Sequence, residues 1–171
     1  MYKSAVRWMI RRNIRALNAG DPGPLLAGFA DDAVLVFPGT SSWGREYRGK
    51  AAVEGFVRRF SAARLVGQPH EILVNGPPWR TTACVVFSDQ ATDASGQVVY
   101  QNRAVLFARA VWGKIIYQED FLDTEKVGAF DRYLSASSSE GIGGRDSSLH
   151  GQADRDDGQE HANEHRAGTG T

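Results

Sequence analysis

One cysteine in 171 residues leaves no internal disulfide to staple the fold. That residue, Cys84, lies in the apolar run Ala83-Cys84-Val85-Val86-Phe87 and reads as an ordinary buried thiol. No apolar run approaches the ~18 residues of a membrane span, and Arg7, Arg11, Arg12 and Arg15 interrupt every candidate secretory leader. The expectation is a cytoplasmic protein with no membrane partner. A formal net charge of zero argues against general nucleic-acid binding. Histidine is scarce, with four in the chain. Although His161 and His165 are four apart, no third ligand is fixed beside them. There is no P-loop, no Gly-x-Gly-x-x-Gly after a strand, no Cys-x-x-Cys and no His-Glu-x-x-His. Neither a metal nor a nucleotide cofactor is expected.

What is present divides unevenly. Residues 136–171 hold seven acidic and three basic side chains, which leaves residues 1–135 with a net charge of +4. Ile142 and Leu149 are the large aliphatics of that terminal stretch, and it has no aromatic residue. Such a composition cannot offset its own ordering entropy. The expected organisation is one domain over residues 1–135 and a disordered tail over 136–171.

Within the domain, Val6, Met9, Ile10, Ile14 and Leu17 recur at helical spacing over 4–19, with Ser4 as N-cap and Gly20 as the stop. A short second helix follows Asp21, with Leu25, Leu26 and Phe29 as its buried stripe and Asp31-Asp32 as its end. Residues 34–37 form a strand closed by Pro38-Gly39, and a loop then runs through Trp43 and Tyr47. Val53, Phe56, Val57 and Phe60 mark a third helix over 50–64. Strands over 70–75, 80–89, 98–111 and 114–123 are separated by short turns, so they predict an antiparallel meander. A last helix over 124–134, capped by Asp123, packs Val127 and Phe130 on the sheet.

That order of elements, together with Ala16-Leu17-Asn18-Ala19-Gly20-Asp21, Phe29-Ala30-Asp31-Asp32-Ala33, Phe37-Pro38-Gly39, Tyr47-Arg48-Gly49-Lys50, Tyr100-Gln101-Asn102-Arg103 and Gly113-Lys114-Ile115, resembles the nuclear transport factor 2-like superfamily. Within it, the chain resembles the SnoaL-like branch, related to polyketide cyclases and ketosteroid isomerases. The resemblance implies an α+β fold in which a cone-shaped, curved, mostly antiparallel sheet wraps helices around a central apolar pocket. It also implies departures. The carboxylate base of ketosteroid isomerases corresponds to Phe37 here, and a phenyl ring takes no proton. Epoxide hydrolases of this fold carry an Arg-x-Asp pair on one strand, which Gln101-Asn102-Arg103-Ala104-Val105 lacks. Asp120 corresponds to their last-strand carboxylate and to the acid of SnoaL-like cyclases.

Strand alternation places Ile116, Gln118, Asp120 and Leu122 on one face and Ile115, Tyr117, Glu119 and Phe121 on the other. The resemblance assigns the first set to the pocket. The same parity groups Tyr100, Asn102, Ala104, Leu106 and Ala108, so Asn102 is expected across the pocket from Asp120. A carboxylate in an apolar cavity exchanges protons near neutrality and an amide positions a carbonyl or water. Asp120 and Asn102 are therefore the candidate catalytic residues. Gln118, Tyr100, Trp43, Tyr47, His70, Phe37 and Leu106 are candidate substrate contacts, with Trp43 and Tyr47 as a roof for a ring-shaped ligand and His70 as a second acid or base. For Asp120, a structural ion pair or hydrogen bond is the alternative role; for Trp43 and Tyr47, it is loop packing; for His70, a half-exposed strand end. The function read from these residues is a cofactor-free cyclase or isomerase for a small hydrophobic, cyclic or polyketide-like molecule. Two alternatives remain: a non-catalytic ligand-binding or dimerisation module, and an epoxide hydrolase-like enzyme. A homodimer through the outer sheet face, with Phe107, Tyr117 and Phe121, is the expected assembly.

Overall fold

The computed structural model describes the backbone of residues 1–143 and the side chains of residues 1–137. Four helices and six strands follow in the order α1 Tyr2–Asn18, α2 Gly23–Leu26, β1 Phe29–Phe37, β2 Arg45–Arg48, α3 Lys50–Ala62, β3 Val66–Asn75, β4 Thr81–Thr92, β5 Val98–Val111, β6 Lys114–Leu122 and α4 Thr124–Gly143. The strands make one curved, open sheet in the order β2-β1-β6-β5-β4-β3. Every pairing is antiparallel except that of β1 with β6. The expected α+β fold and meander are observed.

Alternation explains which face is buried. On β1, Phe29, Ala33, Leu35 and Phe37 point inward, and the stripe Val53, Phe56 and Val57 of α3 meets them. Phe29, Leu35 and Val53 are fully buried, and each such side chain contributes roughly 1.5–3 kcal/mol by leaving water. A second cluster joins Val6, Ile10 and Ile14 of α1 to Ile72, Val74, Ala83 and Val85 of β3 and β4. Helix α1 carries no acidic residue, and Lys3, Arg11, Arg12 and Arg15 stay exposed along it.

Several boundaries differ from those read in the sequence. Helix α1 begins at Tyr2 with Met1 at its N-cap, so Ser4 lies inside it. Helix α2 is one turn, and Phe29 opens β1; Asp31 and Asp32 are exposed strand residues beside a register shift between Phe29 and Val34. The pairing of Leu35 with Tyr47 makes a short strand, β2, where a loop was expected. Helix α4 continues to Gly143, beyond the expected end at residue 134, and its start is capped as expected by Asp123, whose carboxylate accepts the Glu125 N–H at 3.0 Å. The rest of the anticipated tail, residues 144–171, lies outside the described residues. Among the described residues, no helix is long and apolar enough to cross a membrane.

Candidate active site

A cavity of about 180 Å³ lies between α1, α3 and the concave face of the sheet. Helix α1 lines it with Val6, Met9, Ile10, Asn13, Ile14 and Leu17, and α3 with Phe56, Val57 and Phe60. The sheet wall opposite is hollowed by small residues, Ala83 on β4 and Ala108 and Ala110 on β5. These are cross-strand neighbours, since Ala83 pairs with Ala108.

Asp120 and Gln118 reach this wall from β6. Their register sets Asp120 beside Leu106 and Gln118 beside Ala108, so the carboxylate borders an alkyl side chain and the amide borders a methyl. Both are buried, and Gln118 Nε2 donates to Asp120 Oδ1 at 3.1 Å. Burial pushes the Asp120 carboxyl up from 3.8 to about 7, against the lowering by the Gln118 hydrogen bond and with help from the charges of Asp89 and Glu119. The group therefore holds or releases a proton near neutral pH, the condition for general acid–base work.

A second buried carboxylate, Asp89 on β4, was not among the expected site residues. Desolvation raises it to about 6, against the hydrogen bond from Tyr100, whose hydroxyl donates to Asp89 Oδ2 at 3.3 Å. Its Oδ1 is buried with no hydrogen-bond partner. The alternation Ala83, Val85, Phe87, Asp89 and Ala91 was the signal that could have found it; the strand was expected to stop at Asp89, whereas it runs to Thr92.

The structure separates the rest of the expected site. Asn102 pairs with Asp89, not with Asp120, and lies four residues from Leu106 along β5, roughly 13 Å at ~3.3 Å per residue. Its amide donates to the Asp123 carbonyl at 2.9 Å and to the Tyr100 hydroxyl at 3.2 Å, which ties β5 to the start of α4. Asn102 is thus a structural bracket. Tyr100 stacks on Phe130 of α4, with ring centroids 4.7 Å apart, outside the cavity lining. Phe37, Trp43 and Tyr47 pack against Phe56 at centroid distances of 5.2, 6.0 and 5.0 Å, and none of the three lines the cavity. The Tyr47 hydroxyl donates to the Trp43 carbonyl at 2.8 Å, so neither ring roofs the cavity. Asp131 helps hold that loop by accepting the Ser42 N–H at 2.8 Å and pairing with Arg59 at 3.1 Å. His70 is exposed at the register shift of edge strand β3 and meets the Ser88 hydroxyl at 2.9 Å. Leu106, Gln118 and Asp120 are the expected residues that the fold does bring together.

One face assignment also changes. The β5–β6 register jumps from Arg109–Tyr117 to Ala110–Ile115, so Ile116 is an extra residue in a bulge. Ile115 consequently lines the cavity and Ile116 is exposed, the reverse of strict alternation.

Residues 10–118 match the family described as the SnoaL-like domain. No curated protein matches the chain. Among solved structures, a protein of the nuclear transport factor 2-like fold from Burkholderia pseudomallei superposes with a TM-score of 0.59 at 21% identity, over 71% of this chain and 92% of that one. SalBIII, an epoxide hydrolase/cyclase-like enzyme of pyran ring formation in polyether salinomycin, gives 0.58 at 18% identity, over 70% and 92%. A Mycobacterium tuberculosis protein in complex with estradiol-17β-hemisuccinate gives 0.58 at 23% identity, over 69% and 93%.

Proposed function

The chain belongs to the SnoaL-like family of the nuclear transport factor 2-like superfamily, and from that premise we propose that it is a small-molecule pocket protein using Asp120 as the acid or base of a cofactor-free cyclisation or isomerisation. The substrate class is a hydrophobic, cyclic or polyketide-like molecule. The observation that carries this reading is a buried carboxylate on the wall of a mostly aliphatic and aromatic cavity, its carboxyl pushed up to about 7 by burial. Gln118 orients it, and Asp89 is a second carboxylate whose negative charge favours the protonated form of Asp120. In such a reaction the Asp120 carboxylate removes a proton from the carbon beside a carbonyl and returns it at the same or a neighbouring atom.

Hydrogen–deuterium exchange tests this step. Cyclic ketones incubated with the protein in heavy water should exchange their α-protons, and Asp120→Asn should slow that exchange by about 10²-fold or more. Equal rates with Asp120→Asn and the unaltered protein would remove Asp120 from the chemistry.

A second reading, an assembly module, is favoured by the outer sheet face, where Leu73 and Phe121 are each 52% exposed. Around them, Arg109 lies over the Tyr117 ring at 4.4 Å and the Tyr117 hydroxyl donates to Glu119 at 2.6 Å. A face carrying both signs of charge beside apolar side chains is suited to a two-fold contact with its own copy. This dimer is compatible with the catalytic reading.

A further inference from the structure

Three of the four tryptophans are exposed, and two of them stand side by side. Trp79, in the β3–β4 turn, is 58% exposed and Trp112, in the β5–β6 turn, is 71% exposed; their ring centroids are 5.9 Å apart. The Trp112 N–H donates to the Pro78 carbonyl at 2.7 Å, which holds the two turns together. Trp112 and Gly113 are the central pair of a two-residue hairpin closed by Val111 and Lys114, with φ of 51° and 79°. Asn, Asp or Gly fills the first of those positions at low cost, whereas a bulky side chain at positive φ is strained. A large apolar ring is thus kept at the tip of the sheet against both its backbone and its solvent, a position that suits binding rather than turn formation.

The same end of the molecule is cationic. Helix α1 starts beside these turns, with the Tyr2 hydroxyl 2.5 Å from that of Thr81 and Arg7 Nε donating to the Ile72 carbonyl at 3.1 Å. Residues 1–20, 72–88 and 104–118, which supply α1 and the two hairpin ends, contain eight Lys or Arg residues and no Asp or Glu. None of the eight makes an ion pair among the described residues. Lys3, Arg11, Arg12, Arg15, Arg80 and Lys114 are exposed, and Arg12 lies 5.8 Å over the ring of Trp8, itself exposed.

Tryptophan at a boundary between water and hydrocarbon, and Lys or Arg among phosphates, are the side chains that an anionic lipid surface attracts. A nucleic acid would answer to the charge but not to the cavity, whose lining reaches this end through Tyr2, Thr81, Ala110 and Gly113. Docking by this end sets the apolar cavity next to the lipid. We infer that the tip formed by Trp79 and Trp112, with the basic face of α1 beside it, is a peripheral docking surface for anionic phospholipid bilayers. Adsorption of this kind departs from the expectation of no membrane partner.

Co-sedimentation of the full chain with vesicles tests it, using phosphatidylcholine alone or mixed with phosphatidylglycerol. At about 0.1 M salt the mixed vesicles should bind at least ~10-fold more tightly than the neutral ones, and about 1 M salt should release the protein, because screening then shortens the reach of charge to ~3 Å. The double variants Trp79→Ser/Trp112→Ser and Lys3→Glu/Arg80→Glu should each lose about tenfold or more in affinity. All four residues are exposed, so both variants should still melt cooperatively. Leu73→Ser, on the outer sheet face, should bind vesicles as the unaltered protein does. Equal binding to both vesicle types, unchanged affinity in either double variant, or an equal loss in Leu73→Ser overturns the assignment. Quenching of the unaltered protein's tryptophan emission by brominated phospholipid needs no variant, and its absence would overturn the assignment too. An oligonucleotide that vesicles fail to displace would give this end to nucleic acid, and a dimer abolished by the tryptophan double variant would give it to a second copy; either outcome sinks the lipid contact. Asp120→Asn should bind vesicles unchanged, so this inference and the catalytic reading fail separately.

Discussion

A carboxyl group taken out of water holds its proton more tightly, and Asp89 and Asp120 do so on neighbouring parts of one sheet. Both have folded values raised above 3.8, so the folded chain binds more protons than the unfolded chain between about pH 4 and 7. Stability is then greatest at the acidic end of that window and falls as pH rises through it. Gln118 and Tyr100 donate to the two carboxyls and oppose the shift, while Glu119 adds to it at Asp120. Thermal melts of Asp120→Asn should exceed those of the unaltered protein at pH 8 by several degrees, on a scale where 1 kcal/mol moves such a domain by about 2–8 °C. At pH 5 the gap should shrink, and a gap that stays constant across pH would contradict the assignment. Asp120, Gln118 and Leu106 were legible because inward parity along a strand is a local property. Asn102 was misplaced because parity fixes a face and not a register, and register depends on pairing with a partner strand. Asp89 was lost to its own chemistry, since aspartate favours turns and was taken to end a strand that continues.

Among the elements, the long strands and helices were readable from periodicity, whereas the features that steer them were not. The β6 bulge illustrates this. Lys114-Ile115-Ile116-Tyr117 offers two adjacent isoleucines, and nothing in that string says which one faces the core. Strand β2 was hidden for a similar reason, being four residues long and held by its pairing to β1. The turn from β3 to β4 is more sharply determined. Gly76 has φ of 84°, and a Cβ there would lie 2.0 Å from the Arg80 carbonyl oxygen, so both backbone conformation and space demand glycine. Gly76→Ala should destabilise the fold by about 1–3 kcal/mol, read from denaturant midpoints at constant slope. A midpoint equal to that of the unaltered protein would mean that the turn relaxes freely. The hairpins at this end are joined by the Trp112 N–H bond to the Pro78 carbonyl at 2.7 Å and by Trp79 against Trp112 at 5.9 Å.

For the molecule as a whole, the outer face and the order of strands matter most. If Leu73, Phe107 and Phe121 meet a second copy, light scattering after gel filtration should give twice the chain mass, and Phe121→Lys should give a monomer that still melts cooperatively. A monomer at ~100 μM for the unaltered chain would end that expectation. Fold class was legible here because element order and connection length restrict the topologies available. Assembly was not, because the apolar residues of an exposed face look the same in sequence as those of a core. The sheet order β2-β1-β6-β5-β4-β3 also has a consequence in time. Strand β6 is the last to be synthesised, yet it sits between β1 and β5 and joins the early part of the chain to the meander. Until residues 114–122 leave the ribosome, β1 and β5 each present an unpaired edge, and such edges invite aggregation. The segment that joins the two halves of the sheet is the one that carries Gln118 and Asp120, so the site cannot exist before the sheet is continuous.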